Sequence, residues 1–126
     1  MDLAVTTKSH GPGANQGFIV KPSDITEVGG TIDLAKAGAS IADNAVPAGT
    51  LLARVTASGN LGTYDNTATD GRQTCVGVLF DSIPTRGKTA GNVGCAVIVL
   101  GAIYGAKLPV APDAAAKADI PSIVFV

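Results

Sequence analysis

The sequence predicts a mainly β protein with one short helix: a compact barrel or sheet domain over residues 30–126, preceded by an extended N-terminal arm over residues 1–29. Three observations carry this. Short apolar segments recur between tight-turn residues; two of them, Thr74 to Phe80 and Val93 to Leu100, are apolar on both faces; and only Ala111 to Ala118 has the composition of a helix.

Taken in order, Met1 to Gly17 shows neither a period of two nor one of 3.6. Its run His10-Gly11-Pro12-Gly13-Ala14-Asn15-Gln16-Gly17 is costly to order, because glycine loses the most backbone entropy and proline offers no ladder donor. Phe18-Ile19-Val20 is a short strand candidate stopped by Pro22, and Ile25 to Val28 is a weaker one ending at Gly29-Gly30. Thr31-Ile32-Asp33-Leu34 alternates. Pro47-Ala48-Gly49 then makes a turn into a strand over Thr50 to Thr56, and Ser58-Gly59-Asn60 turns the chain into Leu61 to Tyr64, which leads to Asp65-Asn66. The two doubly apolar strands follow. They must be covered on both sides, inside a closed core or at a subunit interface. In the helix, Pro112 stands at an early position and Asp113 in the first turn; Pro121 ends it, and Ser122 to Val126 closes as a strand.

The 126 residues suffice for one domain with one modest core. Apolar residues make up 46% and charged residues 15% of the chain, against roughly 25% charged in an average soluble protein, so part of the surface is expected to be covered by a partner. A net charge of −1 supplies no field for nucleic acid or anionic lipid. The longest apolar run, the 14 residues from Val93 to Ala106, is broken by glycines and falls short of the roughly 20 that cross a bilayer. Met1 to Lys8 lacks the pattern of a signal peptide, which points to synthesis in a cytoplasm.

Catalytic groups are scarce. The one histidine, His10, has no Cys, Asp or Glu at ligand spacing, and Glu27 is the one glutamate, so paired-carboxylate chemistry would fall to aspartates such as Asp65 and Asp70, which sit in turn sequence. Gly11-Pro12-Gly13 lacks the third glycine and the Gly-Lys-Ser/Thr of a phosphate loop. Phe18, Tyr64, Phe80, Tyr104 and Phe125 are too widely spaced to form a base-stacking face. No enzyme, metal or cofactor is therefore expected. Cys75 and Cys95 each lie in an apolar run, where they pack as small hydrophobes or join neighbouring strands as a disulfide.

Val46-Pro47-Ala48-Gly49-Thr50-Leu51-Leu52, followed by Ser58-Gly59-Asn60-Leu61, Tyr64-Asp65-Asn66-Thr67, Asp70-Gly71 and Val76-Gly77-Val78-Leu79, resembles the lambda-type bacteriophage head decoration proteins. The likeness continues through Leu108-Pro109, the helix at Asp113 to Asp119 and the apolar last strand, covering about Pro47 to Val126. It departs at Cys95 to Ile103, aliphatic where that family is aromatic-rich, and before Pro47, where no residues match.

The resemblance implies a β-clip-like fold and a structural capsid cement protein with no cofactor. It implies a homotrimer at local three-fold positions on the outer surface of the virion head, bound to the major capsid protein. It also implies an N-terminal capsid-binding arm that orders when it meets the major capsid protein; Leu3, Val5, Phe18, Ile19 and Val20 are its expected apolar contacts, because an exposed arm has no other use for such side chains. Two other readings remain. One is a phage tail-tube or fibre component; the other is a trimeric β-rich nucleotide hydrolase, whose acidic-serine-glycine phosphate site is not found in the sequence.

Overall fold

The computed structural model describes residues 17–126, so Leu3, Val5 and His10 lie outside the described residues. In chain order the strands are β1 (Thr26–Asp33), β2 (Ala45–Val46), β3 (Leu51–Arg54), β4 (Leu61–Thr63), β5 (Cys75–Leu79), β6 (Ile83–Pro84), β7 (Asn92–Ile103) and β8 (Ile123–Phe125). Among the described residues one α-helix, α1 (Ala114–Asp119), lies between β7 and β8.

Strands apolar on both faces need closed edges and two covers; the topology closes the edges and covers β5, whereas of Val93 to Leu100 only Val97 and Ile98 are buried and Leu100 is exposed. β1 pairs with β4, β4 with β3, β3 with β5, β5 with β7, and β7 returns to β1, closing a five-stranded barrel. Each of the five strands sends one large side chain to a common interior: Ile32, Leu52, Leu61, Leu79 and Val97. The outer faces of β3, β5 and β7 present Leu51, Val78 and Ile98 to a second core, covered by Phe18, Leu108, Ala116, Ile120 and Ile123. Ile98 sits where β7 is paired on both sides, opposite Glu27 of β1 and Val78 of β5. The fold is thus mainly β with one short helix, a closed barrel with added strands, consistent with the β-clip-like domain that was expected.

The barrel is tightest where β5 crosses β7. A Cβ placed on Gly77 would lie 2.5 Å from Val97 Cγ1 and 2.6 Å from the Ile98 carbonyl oxygen, so only glycine lets the two backbones approach this closely. In α1, Asp113 is the N-cap, its side chain accepting from Ala116 N at 2.8 Å. The helix is tied to the barrel when Asp119 Oδ2 accepts from Cys75 N at 2.9 Å.

Several elements differ from the sequence reading. Gly29-Gly30 does not end a strand: β1 runs through both, with Gly29 opposite Ala96 and Gly30 opposite Cys95 on β7. The boundary expected at residue 29 therefore falls inside a barrel strand. The two-residue pair β2–β6 was not foreseen, and the strand expected over Thr50 to Thr56 is the shorter β3. Both cysteines are free thiols, Cys75 in the outer core and Cys95 against the barrel interior. Burial pushes the Cys75 thiol up to about 12 and raises that of Cys95.

Candidate interaction surface

Past the barrel, the last residues of β7 carry a small open sheet. β8 adds in parallel, with Gly101, Ala102 and Ile103 opposite Ile123, Val124 and Phe125. On the other side of β7, Ile19 bridges Ile103, flanked by hydrogen bonds from Val20 N to the Ala102 carbonyl at 3.1 Å and from Tyr104 N to the Phe18 carbonyl at 2.7 Å. The register puts Ile19, Ile103 and Phe125 in one row turned toward the core. Val20, Ala102 and Val124 form the next row, and Val20 and Val124 are exposed. Leu100 and Tyr104 are exposed on the same strand or just beyond it, and Val126 at the end of β8. Among the described residues β8 pairs only with β7, so this flank combines an unpaired strand edge with exposed aliphatic side chains.

The described residues also form a groove. Its volume is about 490 Å³, and it runs between the turn at Ala39 to Ala42, the Pro47 to Leu51 segment, the exit of β4 at Tyr64, and Pro109 to Asp113. Asp113 anchors one wall. Besides capping α1 it accepts from Tyr64 Oη at 2.9 Å and from Asn66 Nδ2 at 2.8 Å. The amide donation from Ala116, with those side-chain bonds, holds the Asp113 carboxyl below the usual carboxylate range. Partial desolvation, reinforced by that carboxylate, pushes the Tyr64 hydroxyl up to about 12. Arg72, also on the groove, is committed to Asp70, with Nε to Oδ2 at 3.1 Å, and to the Lys36 carbonyl through Nη1.

The arm contacts expected from the sequence are divided by this arrangement. Phe18 and Ile19 are 4% and 6% exposed and belong to the outer core, while Val20 stands in the open row. Leu3 and Val5 lie outside the described residues. The exposed partners of Val20 escaped sequence reading: Leu100 and Val124 look like any other members of apolar strands, and only the register shows that they stand at an open edge. Among the described residues no group of three or more His, Cys, Asp or Glu is placed to hold a metal ion.

The described residues thus form a β-clip-like domain with a closed barrel and an open apolar flank. Residues 20–120 match the family described as Bacteriophage lambda head decoration protein D, and the chain belongs to that family. The match starts at Val20 and so takes in β1, which the likeness seen in the sequence from Pro47 onward left out. This gives the chain a phage structural role in the context of the head. No curated protein matches the chain.

Proposed function

We propose that the protein is a capsid decoration, or cement, protein that binds the outer surface of the expanded phage head as homotrimers at local three-fold positions and holds the shell against the pressure of packaged DNA. The observation that carries this reading is the family match over residues 20–120. The open flank of Val20, Leu100, Val124 and the β8 edge adds a surface that gains from being covered in the assembled particle.

In this reading the arm is the grip. Leu3, Val5 and Val20 are its apolar contacts, while Phe18 and Ile19, packed in the domain core, fix the point from which it leaves. If five or six arm residues add to an edge of the major capsid protein, each backbone hydrogen bond contributes roughly 0.5–1.5 kcal/mol against an ordering cost of about 1–2 kcal/mol per residue. A single arm is close to break-even. Three arms on one trimer engage at effective concentrations in roughly the millimolar range, and avidity then makes the attachment tight.

The test is to remove residues 1–16, which leaves Phe18 and the core intact, and to measure binding to expanded, undecorated shells. Binding should fall by orders of magnitude, and undiminished binding rules out the arm as the anchor. Imaging of decorated shells should show three-fold density; two-fold or six-fold density sinks the symmetry.

A further inference from the structure

The donors and acceptors of the groove are unevenly spent. Tyr64 Oη and Asn66 Nδ2 donate to Asp113, Arg72 Nε to Asp70, and Thr50 Oγ1 to the Pro47 carbonyl at 2.7 Å, while Ser40 Oγ and Thr63 Oγ1 share one bond at 2.7 Å. Pro47 and Pro109, also on the walls, have no N–H to give. Each of these donor groups is engaged within the chain.

The carboxylates keep capacity. Asp65 Oδ1 accepts from the Thr67 amide at 2.9 Å and from its hydroxyl at 2.7 Å, and no hydrogen bond among the described residues reaches Asp65 Oδ2. Asp113 Oδ1 is filled by Tyr64 Oη and Ala116 N, while Oδ2 accepts one side-chain bond, from Asn66 Nδ2. Hydrogen bonds from Thr67 hold Asp65 below the usual carboxylate range and the Ala116 amide does the same for Asp113, so both are charged at neutral pH. Neither has an ion pair among the described residues, whereas Asp70 is paired with both Arg72 and Lys36. The rest of the walls is largely apolar, with Ile41, Pro47, Leu51 and Val110 among them, and Val110 is 71% exposed.

Such a groove selects by charge. An anionic ligand would face two fixed carboxylates, while a cation with an aliphatic body is matched at both ends: a lysine lays its methylene stem on apolar wall and brings its ammonium to the carboxylates. Arginine fits less well. With Oδ1 of Asp65 and of Asp113 already filled, neither carboxylate presents two open oxygens to a guanidinium fork, and an ammonium needs only one. At about 490 Å³ the groove also has room for residues on either side of that lysine, and Val110 gives them an apolar surface to cover.

We propose that the groove is a docking site for an extended segment of a second protein that carries a lysine among aliphatic residues, its ammonium meeting Asp65 and Asp113 and its apolar side chains lying on Ile41, Pro47, Leu51 and Val110. The docking does not depend on the capsid reading above.

The experiment selects a bead-bound library of random heptapeptides against the full chain and maps the enriched peptides by NMR of labelled Ile, Leu and Val methyl groups. Enriched peptides should carry a lysine flanked by Val, Leu, Ile or Pro, and should shift the signals of Ile41, Leu51 and Val110 but not that of Val28, on β1 outside the groove. Replacing the lysine by norleucine, which keeps the stem and removes the charge, should weaken the tightest peptide about fivefold. Asp65→Asn, whose Oδ1 still accepts from Thr67, should do the same to the lysine peptide, and the norleucine peptide should bind native and Asp65→Asn proteins equally. No enrichment over blank beads, enrichment of acidic or uncharged peptides, or shifts away from the groove overturns the docking. An Asp65→Asn protein that still separates lysine from norleucine as the native chain does overturns the role of Asp65, and an arginine peptide as tight as the lysine one overturns the choice of ammonium. Spermidine that matches the tightest peptide overturns a protein segment as the source of the cation. A chain that binds no shells refutes the capsid reading and leaves these results intact.

Discussion

β7 serves two regions built on opposite principles. At Val97 and Ile98 it is paired on both sides, by β1 and β5, and contributes to both cores. Over its last three residues it carries an open sheet whose outer strand, β8, has one neighbour among the described residues and whose exposed row is aliphatic. In the barrel, hydrogen bonds and apolar area are satisfied within the chain, so substitutions there are felt as stability. In the flank they are left for another surface to satisfy, so substitutions there should be felt as binding. Stability and attachment can then be altered separately.

The sharpest way to break the barrel side of this contrast is Gly77→Ala. The added methyl has no room between Val97 and the Ile98 carbonyl, so β5 and β7 must move apart. Overpacking of this kind costs about 2–3 kcal/mol. The thermal midpoint should fall by about 10 °C, measurable by calorimetry or circular dichroism. A Gly77→Ala protein as stable as the native one would show that the barrel seam is looser than the structure describes.

Asp113 joins the helix, the β4 exit and the loop at Asn66, and tests whether the groove wall behaves as part of the rigid body. Asp113→Ala removes an N-cap and the acceptor of two side-chain bonds, at a cost of about 1–2 kcal/mol read from the urea midpoint. The native protein should also show an acid dependence that Asp113→Asn reduces. The folded carboxyl sits below its ordinary value of 3.8, so the unfolded chain takes up its proton first as pH falls. The stabilisation is therefore complete well above 3.8, declines below that value, and is gone once pH has dropped through the lowered folded value. A urea midpoint with the same pH slope in Asp113→Asn and native protein would assign the acid dependence to other carboxylates, of which Asp65 and Asp70 are also held low by hydrogen bonds.

The barrel was more legible in the sequence than the flank or the groove, for physical reasons. Val76-Gly77-Val78-Leu79 declares a doubly covered strand by its unbroken apolar character, Val93 to Leu100 is buried only at Val97 and Ile98, and Pro112-Asp113 announces a helix start through local chemistry. Gly29-Gly30 reads as punctuation because glycine carries no strand signal of its own; its place in β1 comes from Ala96 and Cys95, far along the chain. Phe18 and Ile19 look like arm residues for the same reason, since the groups that bury them are distant in the chain, Leu108 and Ile103 by more than eighty positions. The groove is assembled from five separate stretches and leaves no pattern in any of them.

The flank side of the contrast is sharpened by Val124→Asp. Val124 is 58% exposed on the outer strand, so a carboxylate there stays in water and loses little packing. Stability should change by less than about 0.5 kcal/mol, as for most surface positions. Binding should respond differently. If the flank is covered on the particle, the carboxylate is desolvated without a partner, a cost of several kcal/mol that lowers occupancy on expanded shells by at least about a hundredfold. Val28→Asp is the control: Val28 is also exposed, but lies on β1 away from the β8 edge, and should bind as the native chain does. Equal occupancy for native, Val28→Asp and Val124→Asp proteins would leave the open edge uncovered in the particle and put the whole burden of attachment on the arm. Loss with Val124→Asp alone would make the flank a second contact, one that works beside the arm because the barrel holds the last residues of β7 in place whether or not the flank is covered.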